Sequence, residues 1–145
     1  MKIAIGSDHG GFDQKEVVIR HLKEKGYEVT DVGTYSHDSC HYPIFGAEVG
    51  KLVATNKCDF GIVICTSGEG ICIAANKIKG VRCGIGYNDE VSKLMRQHNN
   101  ANVISFGAKF MNDEDVIRRV DIFLSTEFEG GRHAERVKII SNLEN

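Results

Sequence analysis

The segment Phe60–Lys77, FGIVICTSGEGICIAANK, constrains the fold of this chain more than any other. An apolar run without polar alternation, Phe60–Ile64, ends in Cys65, and the turn Thr66-Ser67-Gly68-Glu69-Gly70 follows. Ile71, Ala74, Ala75 and Ile78 then share one helical face until Gly80 closes it. A strand that is apolar on both faces belongs in a parallel sheet covered by helices on both sides. Function in such sheets collects just past the strands' carboxyl ends, and here that place carries a thiol beside backbone N–H groups freed by glycine and by a helix start. A thiol so placed suits a nucleophile or base next to an anion. The plain alternative is a buried core cysteine, the reading that fits Cys72 and Cys83.

The rest of the chain repeats the same alternation. Lys2–Ser7 reads as a strand, and Asp13-x-x-Glu16 resembles a capping box ahead of a helix with Val18, Ile19 and Leu22 on its apolar face and Gly26 as its stop. Tyr27–Val32 is a second strand, followed past Pro43 by a helix through Phe45, Val49, Leu52 and Val53. Val81–Ile85 leads into a helix through Val91, Leu94, Met95 and His98. Ala101–Phe106 leads into one capped by Asn112 and carrying Val116, Val120, Phe123 and Leu124, and a last helix is expected from about His133 to Leu143. Five consecutive strand–helix units with short loops predict an α/β fold of three layers, a doubly wound, Rossmann-like, five-stranded parallel sheet with helices on both faces. No linker, repeat or low-complexity stretch divides it, so residues 1–145 are expected to form one domain.

Composition narrows the partners. With 145 residues and 41% hydrophobic content the chain is large enough to bury a core unaided. A net charge of −2 with interspersed charges offers no footprint for nucleic acid or an anionic membrane, so an anionic ligand must be held by a local cluster. Met1 opens directly onto KIAIGSDHGG, too short an apolar stretch for a signal peptide, and no run approaches a membrane span, which predicts a cytoplasmic protein. Cys40, Cys58, Cys65, Cys72 and Cys83 form no C-x-x-C pair and are odd in number, as expected for reduced thiols.

The ends of the expected strands gather polar residues on one rim: Ser7, Asp8, His9, Gly10 and Gly11; Cys65 to Gly70; Gly86, Tyr87 and Asn88; Gly107 and Lys109. Asp8 and His9 read either as turn residues capping the first helix or, because two glycines follow, as part of a close approach of backbone to a ligand. His98, in Gln97-His98-Asn99-Asn100, either complements a helix dipole or serves a site. Arg132 and Arg136 lie four apart at the start of the last helix, so both guanidinium groups project from one face, as an oxyanion or phosphate clamp or as a solvated basic surface. His37, Asp38, Cys40 and His41 sit in a polar loop that reads as a loop rather than a metal centre. No P-loop or dinucleotide fingerprint is present.

An ordered set of motifs running nearly the length of the chain gives it a resemblance to a known family. These are Gly6-Ser7-Asp8-His9-Gly10-Gly11-Phe12, Asp31-Val32-Gly33-Thr34, Tyr42-Pro43, Gly61-Ile62-Val63-Ile64-Cys65 with Gly68-x-Gly70-Ile71, Ala74-Ala75-Asn76-Lys77, Arg96-Gln97-His98-Asn99 with Ala101-Asn102-Val103, and Gly130-Gly131-Arg132-His133 with Arg136-Val137. Together they resemble the B-type ribose-5-phosphate isomerases and, more broadly, the sugar-phosphate isomerases that include the galactose-6-phosphate isomerase subunits.

The resemblance implies aldose–ketose isomerisation through an enediolate with no metal or other cofactor. It implies Cys65 as the base that moves the proton between C2 and C1, and the loop Ser67–Gly70 as the donor of N–H groups to the enediolate oxygen, with Ser67 at the reacting end and Thr66, Gly68, Glu69 and Gly70 against the substrate. It further implies His98 in opening the sugar ring with Asp8 assisting, Asn99 on the sugar, and His9, Arg132, Arg136 and Lys109 on the phosphate. Members are dimers, sometimes tetramers, with the site completed across subunits, so a homodimer and a phosphorylated sugar substrate are expected. The residues alone suggested the phosphate for the glycine loop; the resemblance puts the reacting end there. The family's usual loop is Cys-Gly-Thr-Gly-x-Gly, whereas this chain has Thr66 for the first glycine, Ser67 for threonine and Glu69 at an often apolar position. Some relatives carry a glutamate base at the position of Ile71, which is apolar here. Lys109 replaces an arginine and clamps less selectively. These departures keep a hexose 6-phosphate of the allose or galactose type open beside ribose 5-phosphate. A non-enzymatic sugar-phosphate-binding module is the remaining alternative.

Overall fold

In a computed structural model covering residues 1–145, the strands are β1 (Lys2–Ser7), β2 (Glu28–Asp31), β3 (Phe60–Cys65), β4 (Cys83–Ile85) and β5 (Val103–Gly107). They form one sheet in the order β2-β1-β3-β5-β4, and every pairing is parallel. The helices are α1 (Phe12–Glu24), α2 (Tyr42–Ala54), α3 (Glu69–Asn76), α4 (Asp89–Gln97), α5 (Asp113–Ser125) and α6 (Arg132–Asn142).

The period of two along each strand sorts the core into two layers. Ile3, Ile5, Ile62, Ile64, Ile104 and Phe106 face one side, where they meet Val18 and Leu22 of α1, Met95 of α4 and Val116, Val120 and Phe123 of α5. Ala4, Val63, Cys65 and Val103 face the other side and pack on Val49 and Val53 of α2 and on Ile71 and Ala75 of α3. The central strand β3 is therefore apolar on both faces, as its sequence requires. The edge strands β2 and β4 are shorter than their sequence pattern suggests, at Glu28–Asp31 and Cys83–Ile85, because a strand paired on one side only keeps fewer residues in the ladder.

Local caps hold the frame. Asn88 and Asn112 accept from the N–H groups of Val91 and Asp115, at 2.7 and 2.8 Å, and start α4 and α5. The capping box expected at Asp13 and Glu16 does not form. The chain first makes a 3-10 turn, His9–Gly11, capped by Asp8, and α1 begins at Phe12 without a side-chain cap. Asp13 meets His37 at 2.8 Å instead, and Glu16 joins Asp31 around the fully buried Lys15 ammonium. That ammonium fastens α1 to β2, and a buried cation of this kind is tolerated only with its carboxylates in place. α6 belongs to neither layer. Among its residues only His133 is buried, while Ile139 and Ile140 stay exposed, as does Leu143 just past its end.

Candidate active site

Parallel strands bring β1, β3 and β5 to a common rim at their carboxyl ends. The Asp8 N–H donates to the Ile64 carbonyl at 3.3 Å, and Ala108 and Lys109 donate to the carbonyls of Cys65 and Thr66 at 2.9 and 3.1 Å. The Asp8, His9, Cys65–Gly70 and Lys109 segments are thereby one structure. Gly10 lies so close to the Thr66 hydroxyl that a side chain at position 10 would collide with it. Tyr42 lies over Gly70, leaving no room for a side chain there either.

Cys65 is buried, and its sulfur accepts a hydrogen bond from the Gly68 N–H at 3.2 Å. Gly68 has φ +82° and caps α3, the left-handed conformation that turns its N–H back toward the thiol. The buried Ser105 hydroxyl holds the loop from below by donating to the Gly68 carbonyl at 2.7 Å. The Ser67 hydroxyl accepts from the Glu69 N–H at 3.2 Å, while the N–H groups of Thr66 and Ser67 take no partner within the chain. The result is a sulfur at a helix N-terminus with backbone donors left over beside it, an arrangement able to move a proton and steady the oxyanion that forms. Asp8 is buried with its carboxylate on the Gly11 N–H at 3.1 Å, and His9 accepts from the Cys40 N–H at 3.2 Å through Nδ1. A cavity of about 590 Å³ opens beside the loop, lined by Ser67, Glu69, Cys72, Tyr87, Phe110 and Met111.

The remaining site residues expected from the sequence lie elsewhere in the same chain. Every helix carries the chain back to the strands' amino ends, so His98 and Asn99, between α4 and β5, sit at that opposite edge. The register makes the separation plain: Val103 pairs with Gly61, whereas Gly107 pairs with Cys65. Four residues of strand span roughly 13 Å. Arg132 and Arg136 begin α6, which follows α5 to this second edge, and the Glu129 N–H donates to the Gln97 carbonyl at 3.0 Å to fix it there. Asn99, Arg132 and Arg136 are exposed. One chain thus assembles Cys65, Asp8, His9, the loop and Lys109, and holds His98, Asn99, Arg132 and Arg136 apart from them.

Several participants escaped the sequence reading. His98 stacks on His133 with ring centroids 4.2 Å apart and planes inclined by 12°. The Nε2 atoms of both histidines stand 3.6 Å from one carboxylate oxygen of Glu129. Burial first, then the positive neighbours His98 and Arg132, pull the His133 pKa below its ordinary value, against Glu129, with Arg136 adding slightly to the lowering. His133 was signalled only as the last residue of the Gly130-Gly131-Arg132-His133 motif, and Glu129 not at all. Tyr42, Cys40 and Ser105 carried no catalytic signature; they touch Gly70, His9 and Gly68 through shape and backbone contacts.

Comparison with known proteins places this architecture in a family. The Ribose/Galactose Isomerase family model matches residues 3–140. The chain is 43% identical over 143 residues to ribose-5-phosphate isomerase B of Escherichia coli, covering 99% of this chain and 96% of that protein. The crystal structure of ribose-5-phosphate isomerase B from Mycoplasma genitalium with bound ribulose-5-phosphate superposes with a TM-score of 0.95 at 41% identity, over 99% of this chain and 95% of the other. A Clostridium thermocellum ribose-5-phosphate isomerase B gives a TM-score of 0.98 at 45% identity, over 99% and 97%. The chain belongs to the ribose/galactose isomerase family of sugar-phosphate isomerases.

Proposed function

We propose that this protein interconverts ribose 5-phosphate and ribulose 5-phosphate, with Cys65 as the base and two copies of the chain contributing to each site. The observation that carries the reading is the Cys65 sulfur held by the Gly68 N–H at 3.2 Å, next to uncommitted N–H groups, in a fold shared with a relative that binds ribulose-5-phosphate. The Cys65 thiolate takes the proton from C2 of the open-chain aldose. The electron pair released forms the C1–C2 double bond of an enediolate, and the carbonyl oxygen, now an anion, lies on the N–H groups of the Thr66–Gly70 loop. The proton of the C2 hydroxyl passes to O1, and as the C2 oxygen becomes the carbonyl the carbon-bound proton returns from the Cys65 thiol to C1, which gives the ketose and regenerates the thiolate.

His98 opens the furanose ring, with Asp8 at the sugar, Asn99 on a sugar hydroxyl, and the phosphate held by His9, Arg132, Arg136 and Lys109. Since His98, Asn99 and the arginines lie on the far edge of their own chain, a second copy supplies them, and the apolar residues left exposed on α6 give that copy a surface to cover. The departures of this loop from the family's usual pattern, Thr66 for glycine and Glu69 at an often apolar position, make allose or galactose 6-phosphate the second reading.

The test is turnover of ribose 5-phosphate, allose 6-phosphate and galactose 6-phosphate with EDTA present, for the native chain and Cys65→Ala. Activity that persists in EDTA and vanishes in the variant is expected, and the ranking of sugars assigns the substrate. Absence of turnover on all three would sink the assignment in favour of a binding module.

A further inference from the structure

The cluster at the far edge has the chemistry of a metal site. The ligating atoms of His98, Glu129 and His133 all lie within 4.8 Å of one another, and each histidine Nε2 is 3.6 Å from the same Glu129 oxygen. Ligand atoms on a tetrahedral zinc ion stand roughly 3.3–3.5 Å apart, and two histidines with one glutamate and an open fourth position are a common zinc set. The His133 side chain is only 10% exposed, yet its ring makes no hydrogen bond within 3.5 Å, so a buried imidazole points at Glu129 without a committed partner.

We propose that His98, Glu129 and His133 form a reversible site for a borderline divalent transition-metal ion, zinc in particular, and that occupation of this site withdraws His98 from the sugar and inhibits the enzyme. The inhibitory part rests on the assignment of His98 to ring opening. In the stack the two imidazole planes are nearly parallel, so one ring turns for both lone pairs to meet one ion. His98 is the ring free to do so, since it ends α4 with 38% of its side chain exposed. Arg132 and Arg136 lie on the same helix start as His133 and repel a cation, which makes the site exchangeable rather than permanently filled. Binding leaves every covalent bond intact and displaces at most a proton from His98.

The experiment is calorimetric titration of EDTA-stripped, buffer-exchanged full-length protein with Zn2+, paired with ribose 5-phosphate turnover in zinc-buffered solution. Glu129→Gln, Glu129→Asp, His133→Gln and, because thiols also bind zinc, Cys72→Ser are run in parallel. Loss of an outer partner of a metal ligand typically costs about 10–100-fold in affinity, so loss of a ligand itself is expected to weaken binding at least about tenfold. His133→Gln and Glu129→Gln should show that loss and shift the zinc inhibition midpoint by the same factor, while Glu129→Asp and Cys72→Ser keep both. Glu129 is half exposed, so its variants remain informative even if His133→Gln does not fold. Unchanged zinc affinity in the Glu129→Gln and His133→Gln proteins would overturn the site. Ligand-dependent binding without inhibition would establish the site and overturn the ring-opening role of His98.

Discussion

The two edges of this sheet are built on opposite plans. At the carboxyl edge, Cys65 is buried, Gly10 and Gly70 are closed in by Thr66 and Tyr42, and strand-end hydrogen bonds leave the loop one shape. At the amino edge, Asn99, Arg132 and Arg136 stand in the open, and Gly130 and Gly131 have nothing within 4 Å of where a side chain would begin. Proton transfer needs atoms held to a fraction of an ångström, and the first edge supplies that within one chain. The proposed phosphate clamp needs long cationic side chains free to reach a ligand, and the second edge holds Arg132 and Arg136 outward.

Removing the proposed base has the largest expected effect. Cys65→Ala is expected to lower kcat by at least about 10²–10⁴-fold, the usual contribution of a positioned base, while KM changes little because the phosphate contacts remain. A residual rate close to native would transfer the base role to Glu69. Mixing two dead proteins is the next test. In a random mixture of Cys65→Ala and His98→Asn chains, half the dimers are mixed, and each mixed dimer carries one site with both native residues, so about a quarter of sites should work. Refolding the two variants together and assaying ribose 5-phosphate turnover measures this. If no activity returns, each site draws both residues from one chain.

The contrast in packing has its own measure, in two glycines of positive φ. Gly68 has φ +82° and a side chain there would start 2.9 Å from the Gly107 nitrogen, a backbone atom that cannot step aside; Gly130 has φ +71° and open space. Left-handed conformation costs an ordinary residue roughly 1–2 kcal/mol. Gly130→Ala should lose about that much in urea melts, and Gly68→Ala more, with activity falling further because the loop donors move with it. Equal losses would mean that the loop is no more tightly held than the far edge.

The fold was legible because its signals are local and repeated: doubly apolar strands, helix faces and asparagine caps recur through the chain. Strand order was not, since the order depends on which strands meet across the sheet. The failed capping box shows the same limit. Asp13 and Glu16 have the right spacing, but His37 and Lys15 claim their carboxylates. The reactive half of the candidate site was readable because Cys65 and its loop are contiguous. The arginine pair announced itself by its four-residue spacing, yet its distance from Cys65 emerges only when the helices are seen to return the chain to the other edge. Glu129 was least visible, and His133 stood in the sequence only as part of the Gly130-Gly131-Arg132-His133 motif, without a role until its ring is seen stacked on His98.

The smallest expected effect concerns that stack. An unfolded histidine takes up its proton below about pH 6.5, whereas His133 in the fold does so only at lower pH, because burial and the positive charges of His98 and Arg132 oppose it. Between the two values the unfolded chain binds more protons than the folded one, so acid favours unfolding. The stability this neutral ring preserves is complete above about pH 6.5 and declines as pH falls toward the folded value. His133→Gln removes the titration while keeping a polar side chain of similar reach. Urea midpoints measured from pH 7.5 down to pH 5.5 should therefore fall less steeply in the variant than in the native protein. Parallel profiles would show that the far edge opens to solvent so readily that His133 titrates there as it does in the unfolded chain, and the difference in order between the two edges would then be greater than the static contacts indicate.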